Sequence, residues 1–499
     1  MSKSGNVIGI DLGTTTTLVA RFNEAGKPEI TTNSEGSRIT PSVIQIEDSG
    51  DVIVGTEAKK FLGTGIPNVF AEFKRVIGEP GKSWLVGGKE ITPADLSALL
   101  LKKVVQDYAA QFGQPDSIVI SWPANFRNEQ REATKAAAAK AGLKVEYYIE
   151  EPVAAALFYS TQNSLNGKYL VYDFGGGTFD VTLLEAHGKE ITILYHEGVQ
   201  QLGGKDLDDA LNKLIGDKFT TKTGDVFDPV DCNFTKLDTE SAKHTLSTRD
   251  KTAVRLVSAK HGMVAIELTR EEFESAISSL ISQAEMACEN VLKCGQTDPS
   301  KYVKKSEVVE VFMAGGTSRV PATQKSMERL FGKPPKVIEP DAAIALGASV
   351  YSAFKTSAGG VLNPLQQQAV NDVEVDLIAP HFFGTSVLED DHSGMFNDTI
   401  IRKGTKLPCK ESRQYGIVRD NQDNVNCDVT QSAIEERNPE YVTKIWEGNL
   451  PLPAGLSAGH PICVTFAYDI NGTMNVSFKE GECGARGGKE VTVDLRPGH

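Results

Sequence analysis

The chain has 499 residues, 40% of them hydrophobic and 24% charged, with a formal charge of −14. Such a length exceeds a single core and points to roughly two to four domains, and the acidic balance argues against nonspecific nucleic-acid binding, which needs a cationic surface. Seven cysteines without a C-x-x-C pair suit free thiols better than a disulfide framework, and no apolar run approaches the ~20 residues of a membrane span, so a soluble cytoplasmic protein is expected.

Residues 7–19, Val-Ile-Gly-Ile-Asp-Leu-Gly-Thr-Thr-Thr-Thr-Leu-Val, read as a strand, a turn carrying Asp11 and Gly13, and a second strand. Short strands are expected over 29–32, 39–46 and 52–54, and short helices over 59–62 and 69–77. Lys74-Arg75 on the last of these reads, by itself, as a basic pair on a solvated face. Thr92 and Pro93 supply a helix cap and a first-position proline, and Leu96, Leu99, Leu100 and Val104 an apolar face. Gly113 ends that helix. A strand over 117–122 runs into Pro123, on its own a strand terminator. An alanine-rich helix to Gly142, a strand over 145–149 and a helix entered through Glu150-Glu151-Pro152 follow. Alternating strands and helices indicate an α/β domain.

The apolar run 169–172 stops at Asp173, Gly175-Gly176-Gly177 follow, and alternation resumes at Phe179, Val181 and Leu183. This is a hairpin with a nearly bare backbone at its tip. Glycines there let N–H groups approach an anion, and a carboxylate at the edge suits a hydrated cation. Taken alone, the glycine triplet is an ordinary turn. The matching plan at Asp11 and Gly13 suggests a duplicated half with a phosphate gripped between the copies.

Gly203-Gly204-Lys205-Asp206 opens another helix, 220–239 is polar and irregular, and a hairpin turns near Lys260-His261-Gly262. Thr269-Arg270-Glu271-Glu272 is a capping box for a helix to about Cys294. A third glycine turn, Gly315-Gly316-Thr317-Ser318-Arg319, closes an apolar strand and opens a helix, a suitable place for a phosphate or its sugar. Pro340-Asp341-Ala342-Ala343 starts a helix to about Phe354. After Ser357 the composition turns to Gly, Asn and Gln, and 372–377 alternates charged with aliphatic residues. Beyond it, short alternating runs are separated by turns such as Asp423-Asn424 and Asn471-Gly472, the pattern of an all-β sandwich. The expected division is 1–357, a linker at 358–377, and 378–499.

The ordered set Ile10-Asp11-Leu12-Gly13-Thr14-Thr15, Phe73-Lys74-Arg75-Val76-Ile77-Gly78, Pro123-Ala124, Glu151-Pro152-Val153-Ala154-Ala155-Ala156, Asp173-Phe174-Gly175-Gly176-Gly177-Thr178-Phe179-Asp180-Val181, Leu202-Gly203-Gly204 and Gly315-Gly316-Thr317-Ser318-Arg319 closely resembles the heat-shock-protein-70 (DnaK-type) chaperone family. Actins and sugar kinases share the Asp-Gly-Thr hairpins but not this set or the β module. The resemblance implies a two-lobed, actin-like ATPase domain of duplicated sheet-and-helix halves, followed by a β-sandwich peptide-binding domain. It also implies an ATP-dependent chaperone of protein folding and the stress response, a slow ATPase yielding ADP and phosphate, with Mg2+ and K+ as cofactors. Its partners would be unfolded or extended polypeptides, a J-domain co-chaperone and a nucleotide-exchange factor, with no nucleic acid or membrane.

By the same resemblance, Asp11 and Asp173 would hold hydrated Mg2+ and, with Asp180, K+. Lys74 would reach the γ-phosphate and orient water, and Glu151 would bind the metal's waters or poise the nucleophile. Gly13, Thr14, Thr15, Thr16, Gly175, Gly176 and Gly177 would cradle phosphate, with the Thr14 and Thr178 hydroxyls assisting. Gly315, Gly316, Arg319 and Asp341 would line the nucleoside, facing Glu240, Lys243, His244 and Ser247. Pro123 and Arg131 would relay nucleotide state to the β domain.

The chain departs from the family in four ways. His244 stands where the family stacks an arginine on adenine, and the segment 78–89 is short. Glu374 sits in a linker that usually carries leucines and docks as an added strand, where a desolvated carboxylate would oppose docking. A helical lid after the β module is not expected. Phe396, Asn397, Val425 and Cys427 fall near the family's peptide groove, or else are sandwich core. These departures suit an alternative: a lidless relative that binds nucleotide structurally and acts as a subunit or co-chaperone, for example with a J-domain partner at the ribosome.

Overall fold

A computed structural model describes residues 5–296, 299, 302–389, 394–469 and 473–493; the turn expected at Asn471-Gly472 lies outside them. Two mixed sheets dominate the first three quarters of the chain. In one, the strands Tyr147–Glu150, Ser117–Trp122 and Val7–Leu12 run parallel, and Thr16–Phe22 and Pro28–Ile30 continue antiparallel. In the other, Val308–Ala314 runs parallel to Leu165–Phe174, which pairs antiparallel with Phe179–Gly188 and so on to Glu190–Val199. Each sheet therefore has an Asp-bearing hairpin beside a parallel strand, the same plan twice.

The sheets meet across two apolar helices, Glu151–Gln162 and Ala343–Thr356, both largely buried. Their approach is set by small residues: a Cβ on Gly347 would lie 1.6 Å from the Ala154 carbonyl oxygen. Only glycine fits there.

Local signals hold where capping chemistry is explicit. Thr92 and Asp95 form a capping box for Pro93–Phe112, which stops at Gly113 with φ 80°. Thr269 and Glu272 do the same for Arg270–Ala276, although the helix expected to run on to Cys294 is interrupted at Ile277 before Ser278–Val291. Other local expectations fail, among them the helix over 59–62, which instead covers Thr56–Lys59. The segment 69–77 is a short strand, Val69–Ala71, and a 3-10 turn, Phe73–Val76, because Glu72 between them takes a left-handed φ of 58°. The polar stretch 220–239 is not wholly irregular, since Lys236–Thr248 is a helix whose first turn is fixed by Asp238, accepting from Thr235 N and Oγ1.

The segment expected as a linker, 358–377, carries a helix and a strand. Asn363 caps a helix, Pro364–Val370, whose Gln366 is fully buried and donates from Nε2 to the Gly5 and Phe22 carbonyls. Glu374–Asp376 then adds to the second sheet as a fifth strand, parallel to Glu190–Val199. The period-two pattern turns Val373, Val375 and Leu377 into the core and leaves Glu374 exposed. The carboxylate is therefore not desolvated, which removes the objection to docking raised by its presence.

The remaining strands form two four-stranded antiparallel sheets. One runs in the order Met395–Ile401, Phe382–Leu388, Asn424–Ser432, Thr443–Pro451, and the other Cys409–Gly416, Pro461–Tyr468, Met474–Glu480, Glu490–Val493. Their side chains share one apolar cluster: Trp446 stacks on Phe478 at 5.8 Å, and Phe383 meets Tyr468 edge-on at 5.6 Å. Cys463 and Cys483 are joined by a disulfide, so the expectation of seven free thiols is wrong for this pair and stands for the other five. Partners 20 residues apart on a strand and the loop beyond its neighbour leave no spacing signature. Among the described residues no helix is long and apolar enough to cross a membrane.

Candidate functional site

The three glycine turns converge. A Cβ on Gly176 would lie 2.4 Å from the Thr15 side chain, and one on Gly177 would lie 2.6 Å from that of Thr14. The threonines of the first hairpin thus fill the space that the glycines of the second leave open. The Gly204 and Lys205 N–H groups donate to the Gly175 and Gly176 carbonyls, and the Thr317 hydroxyl donates to Gly175 O at 2.8 Å. Gly315 holds φ 76°, and a Cβ there would lie 2.4 Å from Phe174 O, which places the third turn against the same hairpin. Ser42 Oγ donates to Gly13 O at 2.8 Å, bracing the first turn beside Thr16.

Beneath the turns lie four buried carboxylates and one ammonium. Asp173 and Asp180 face each other across the hairpin, and Asp11, Glu151 and Lys74 complete the group. Lys74 is only 6% exposed, with Nζ 2.7 Å from Glu151 Oε1. It does not lie on a solvated face, because the 3-10 turn replaces the expected helix. Burial, then the charge of Glu151, pushes Asp11 up to about 7, while Ser121 Oγ donates to it at 3.3 Å. Burial followed by Glu151, Asp180 and Asp11 raises Asp173. Burial and Glu151 lift Asp180 to about 8. Neither oxygen of Asp180 has a hydrogen-bond partner among the described residues, and the Asn125 backbone, though directed at it, forms no bond of normal geometry.

Four carboxylates against one ammonium are costly in a dry site unless a cation joins them. Asp11, Asp173 and Asp180 therefore fit a bound cation. Among the described residues no three acidic, His or Cys side chains converge as direct ligands of one ion, an arrangement compatible with Mg2+, which keeps several waters.

A family model described as Hsp70 protein matches residues 7–86 and 79–496. The chain belongs to the Hsp70 family. Hsp70 proteins are ATP-dependent chaperones, typically ATPases, that bind ATP or ADP with Mg2+ and work with unfolded polypeptides, J-domain proteins and exchange factors. The shorter match includes Asp11 and Lys74, and the longer one spans Glu151, the second hairpin, the segment 358–377 and the β sheets.

In this Hsp70 protein, Glu240 and His244 line a cavity of about 570 Å³ together with Lys59, Thr248 and Arg249. Lys59 reaches across to Glu240 at 2.7 Å. Lys243 instead turns inward to the Gly204 carbonyl at 3.1 Å and to Asp208 at 2.9 Å, and the Ser247 hydroxyl donates to Lys243 O. Burial holds the His244 imidazole below its ordinary pKa, so it offers a neutral ring where an arginine would bring a charge. Arg319 Nε pairs with Asp341 Oδ2 at 2.6 Å beside Gly316.

Pro123 begins a loop that Arg131 pins from below. The guanidinium donates to the Ala124 and Phe126 carbonyls, pairs with Glu150 at 3.0 Å and lies over the Trp122 ring. Other residues make the crossing to the β sheets. Asn128 N donates to Gln431 Oε1 at 3.4 Å, Lys135 Nζ to Thr473 Oγ1 at 3.2 Å, and Lys403 meets Glu197 at 3.4 Å. Gln431, Thr473 and Lys403 had no sequence signal, being isolated polar residues in or beside alternating strands.

The four groove positions are not brought together. Phe396 and Asn397 lie on Met395–Ile401, Val425 and Cys427 on Asn424–Ser432, with Phe382–Leu388 between them. Arg437 covers the Phe396 ring at 4.1 Å. Asn397 is buried, donating to Glu436 O and accepting from Thr430 Oγ1. Cys427 is buried in the common core, and Val425 packs against it.

Proposed function

We propose that this Hsp70 protein binds ATP with Mg2+ between its two Asp hairpins and hydrolyses it slowly to ADP and phosphate. The halves bearing the hairpins act as two lobes, and the β sandwich is the polypeptide-binding part. The observation that carries this reading is the buried carboxylate group, with Asp180 unpartnered, beneath three converging glycine turns.

Hydrated Mg2+ neutralises phosphate charge when bound, and Asp11 and Asp173 would hold it through its waters. Asp180, joining Asp11 and Asp173, supplies a place for K+. Lys74, held beside Glu151, would reach the γ-phosphate and orient water toward phosphorus. Glu151 accepts a hydrogen bond from that water, so a P–O bond forms as the bond to the leaving ADP oxygen breaks, and one proton is released. Gly13, Thr14, Thr15, Thr16 and Gly175 to Gly177 cradle phosphate, with the Thr178 hydroxyl alongside. Gly315, Gly316, Arg319 and Asp341 line one side of the nucleoside, and Glu240, Lys243, His244 and Ser247 the other. Pro123 and Arg131 transmit the nucleotide state to the β sandwich in the cytoplasm, where J-domain and exchange partners act.

Single-turnover ATP hydrolysis with and without an extended apolar peptide tests the reading. Turnover that is lost in Lys74→Ala, and raised by a J-domain protein or the peptide, is expected. Wild-type turnover no faster than that of Lys74→Ala would defeat it.

A second reading, nucleotide binding without a peptide cycle in a subunit of a larger complex, draws support from the buried Asn397 and Cys427 and the covered Phe396. A stable stoichiometric partner from native lysate, without captured unfolded peptides, would favour it. Absence of nucleotide binding by calorimetry would count against both readings.

A further inference from the structure

The joint between the first two sheets and the β sandwich closes over two histidines. His196, on Glu190–Val199, is 1% exposed, and its Nε2 lies 3.2 Å from the carbonyl oxygen of Pro380. His381 comes next in the chain, is 6% exposed, and sets its ring edge-on to Phe383. A carbonyl can only accept, so His196 carries its proton on Nε2. The Nδ1 atoms of both rings are buried without a hydrogen-bond partner among the described residues.

The groups facing the pair are mostly cationic. Arg131 comes from Asn128–Lys140, Arg127 from the loop before it, and Lys403 from the loop after Met395–Ile401. Lys403 is itself buried, stacked on Tyr195 at 4.5 Å and paired with Glu197. The nearby carboxylates are already engaged, Glu197 by Lys403 and Glu150 by Arg131. Tyr468, on Pro461–Tyr468, packs edge-on to Phe383 and senses the charges of Arg131 and Glu150. An imidazolium formed here would meet like charge and no free acid. Burial, then these cations, brings His196 down to about 3 and holds His381 well below its ordinary value.

We infer that this joint is an acid-sensitive latch: protonation of His196 and His381 releases the β sandwich from the ATPase sheets. Docking requires both rings neutral, whereas in the separated form they face water with an ordinary pKa near ~6.5. Below that value the separated form binds more protons, so acid favours it, and above it pH has no hold on the joint. At pH ~6.0 each ring weakens docking about fourfold, and the two together about fifteenfold.

Hydrogen exchange of the full chain at pH ~7.5 and ~6.0 reads this opening directly as protection factors, and both values stay clear of the isoelectric point near 5.2. Amides of 124–131, where Asn128 N bonds to Gln431, and of 374–380 should lose about fifteenfold protection on acidification, while Leu165–Phe174 holds steady. His381→Leu should reduce the loss to about fourfold, and the double variant with His196→Gln, which can still donate to Pro380, should abolish it. If the double variant fails to protect Leu165–Phe174, the single variants carry the test. Equal protection at both pH values in the wild type overturns the proposal, as does an undiminished loss in the folded variants.

Discussion

Two charge clusters meet at the segment 123–131, and they are of opposite net sign. In the cleft, Asp11, Asp173, Asp180 and Glu151 face one ammonium, Lys74. At the joint, Arg127, Arg131 and Lys403 face Glu150 and Glu197. Burial acts on both by disfavouring charge, raising the aspartates and lowering the histidines. Crowding by like charge adds to each. The cleft is thus electrostatically short of a cation, and the joint unfavourable to a proton. The same loop touches both: the Asn125 backbone points at Asp180, and the Asn128 backbone bonds to Gln431.

The largest effect that separates the clusters should come from Lys74→Ala. If Lys74 acts on the phosphates as proposed, loss of its ammonium should slow single-turnover hydrolysis about 100-fold or more, with nucleotide binding by calorimetry retained. A variant as fast as the wild type would show that the cleft does not use its ammonium in chemistry.

At the joint the largest effect is on stability. Arg131→Met leaves Glu150 buried and unpaired, which costs about 3–5 kcal/mol in urea unfolding of the full chain. Adding Glu150→Gln should return most of that loss, because the uncompensated charge is gone. A double variant no better than the single one would mean that Arg131 acts through the Ala124 and Phe126 carbonyls instead.

Cation uptake by the cleft is read by thermal unfolding. At a hundredfold excess over Kd, ADP with Mg2+ should stabilise the wild type by about 2.7 kcal/mol, and EDTA should remove the Mg2+-dependent part. In Asp173→Asn that part should be missing while ADP alone still binds. EDTA having the same effect on both proteins would remove Asp173 from the cation site.

These clusters differ in how far the sequence disclosed them. The cleft was legible because glycine turns and their carboxylates lie within a few residues of each other, so Asp173 and Gly175 to Gly177 declare their geometry locally. Lys74 was legible only through resemblance, since the left-handed Glu72 that buries it has no sequence mark. The joint was hidden. His196, His381, Gln431 and Lys403 come from distant stretches and acquire meaning only when two units close over them. The disulfide between Cys463 and Cys483 escaped for a different reason: its 20-residue separation carries no spacing signature. Asn397 and Cys427 could be read either as groove or as core, because alternation alone does not say which face of a strand is inside.

Glu374 gives the smallest expected effect and the sharpest control. It is a carboxylate on the docked strand itself, bonded through its backbone N–H to Lys189 O, yet its side chain is exposed. If burial is what gives the cleft and joint charges their weight, this one should have almost none. Glu374→Leu should leave unfolding unchanged within about 0.5 kcal/mol, and the protection of 374–380 should stay as in the wild type at neutral pH. A clear gain in protection would instead mean that the strand is held back by its carboxylate, and that the docked form competes with one in which Glu374 is better solvated. The comparison at low pH separates these cases, because Glu374→Leu leaves His196 and His381 in place and the acid-driven loss should persist at full size.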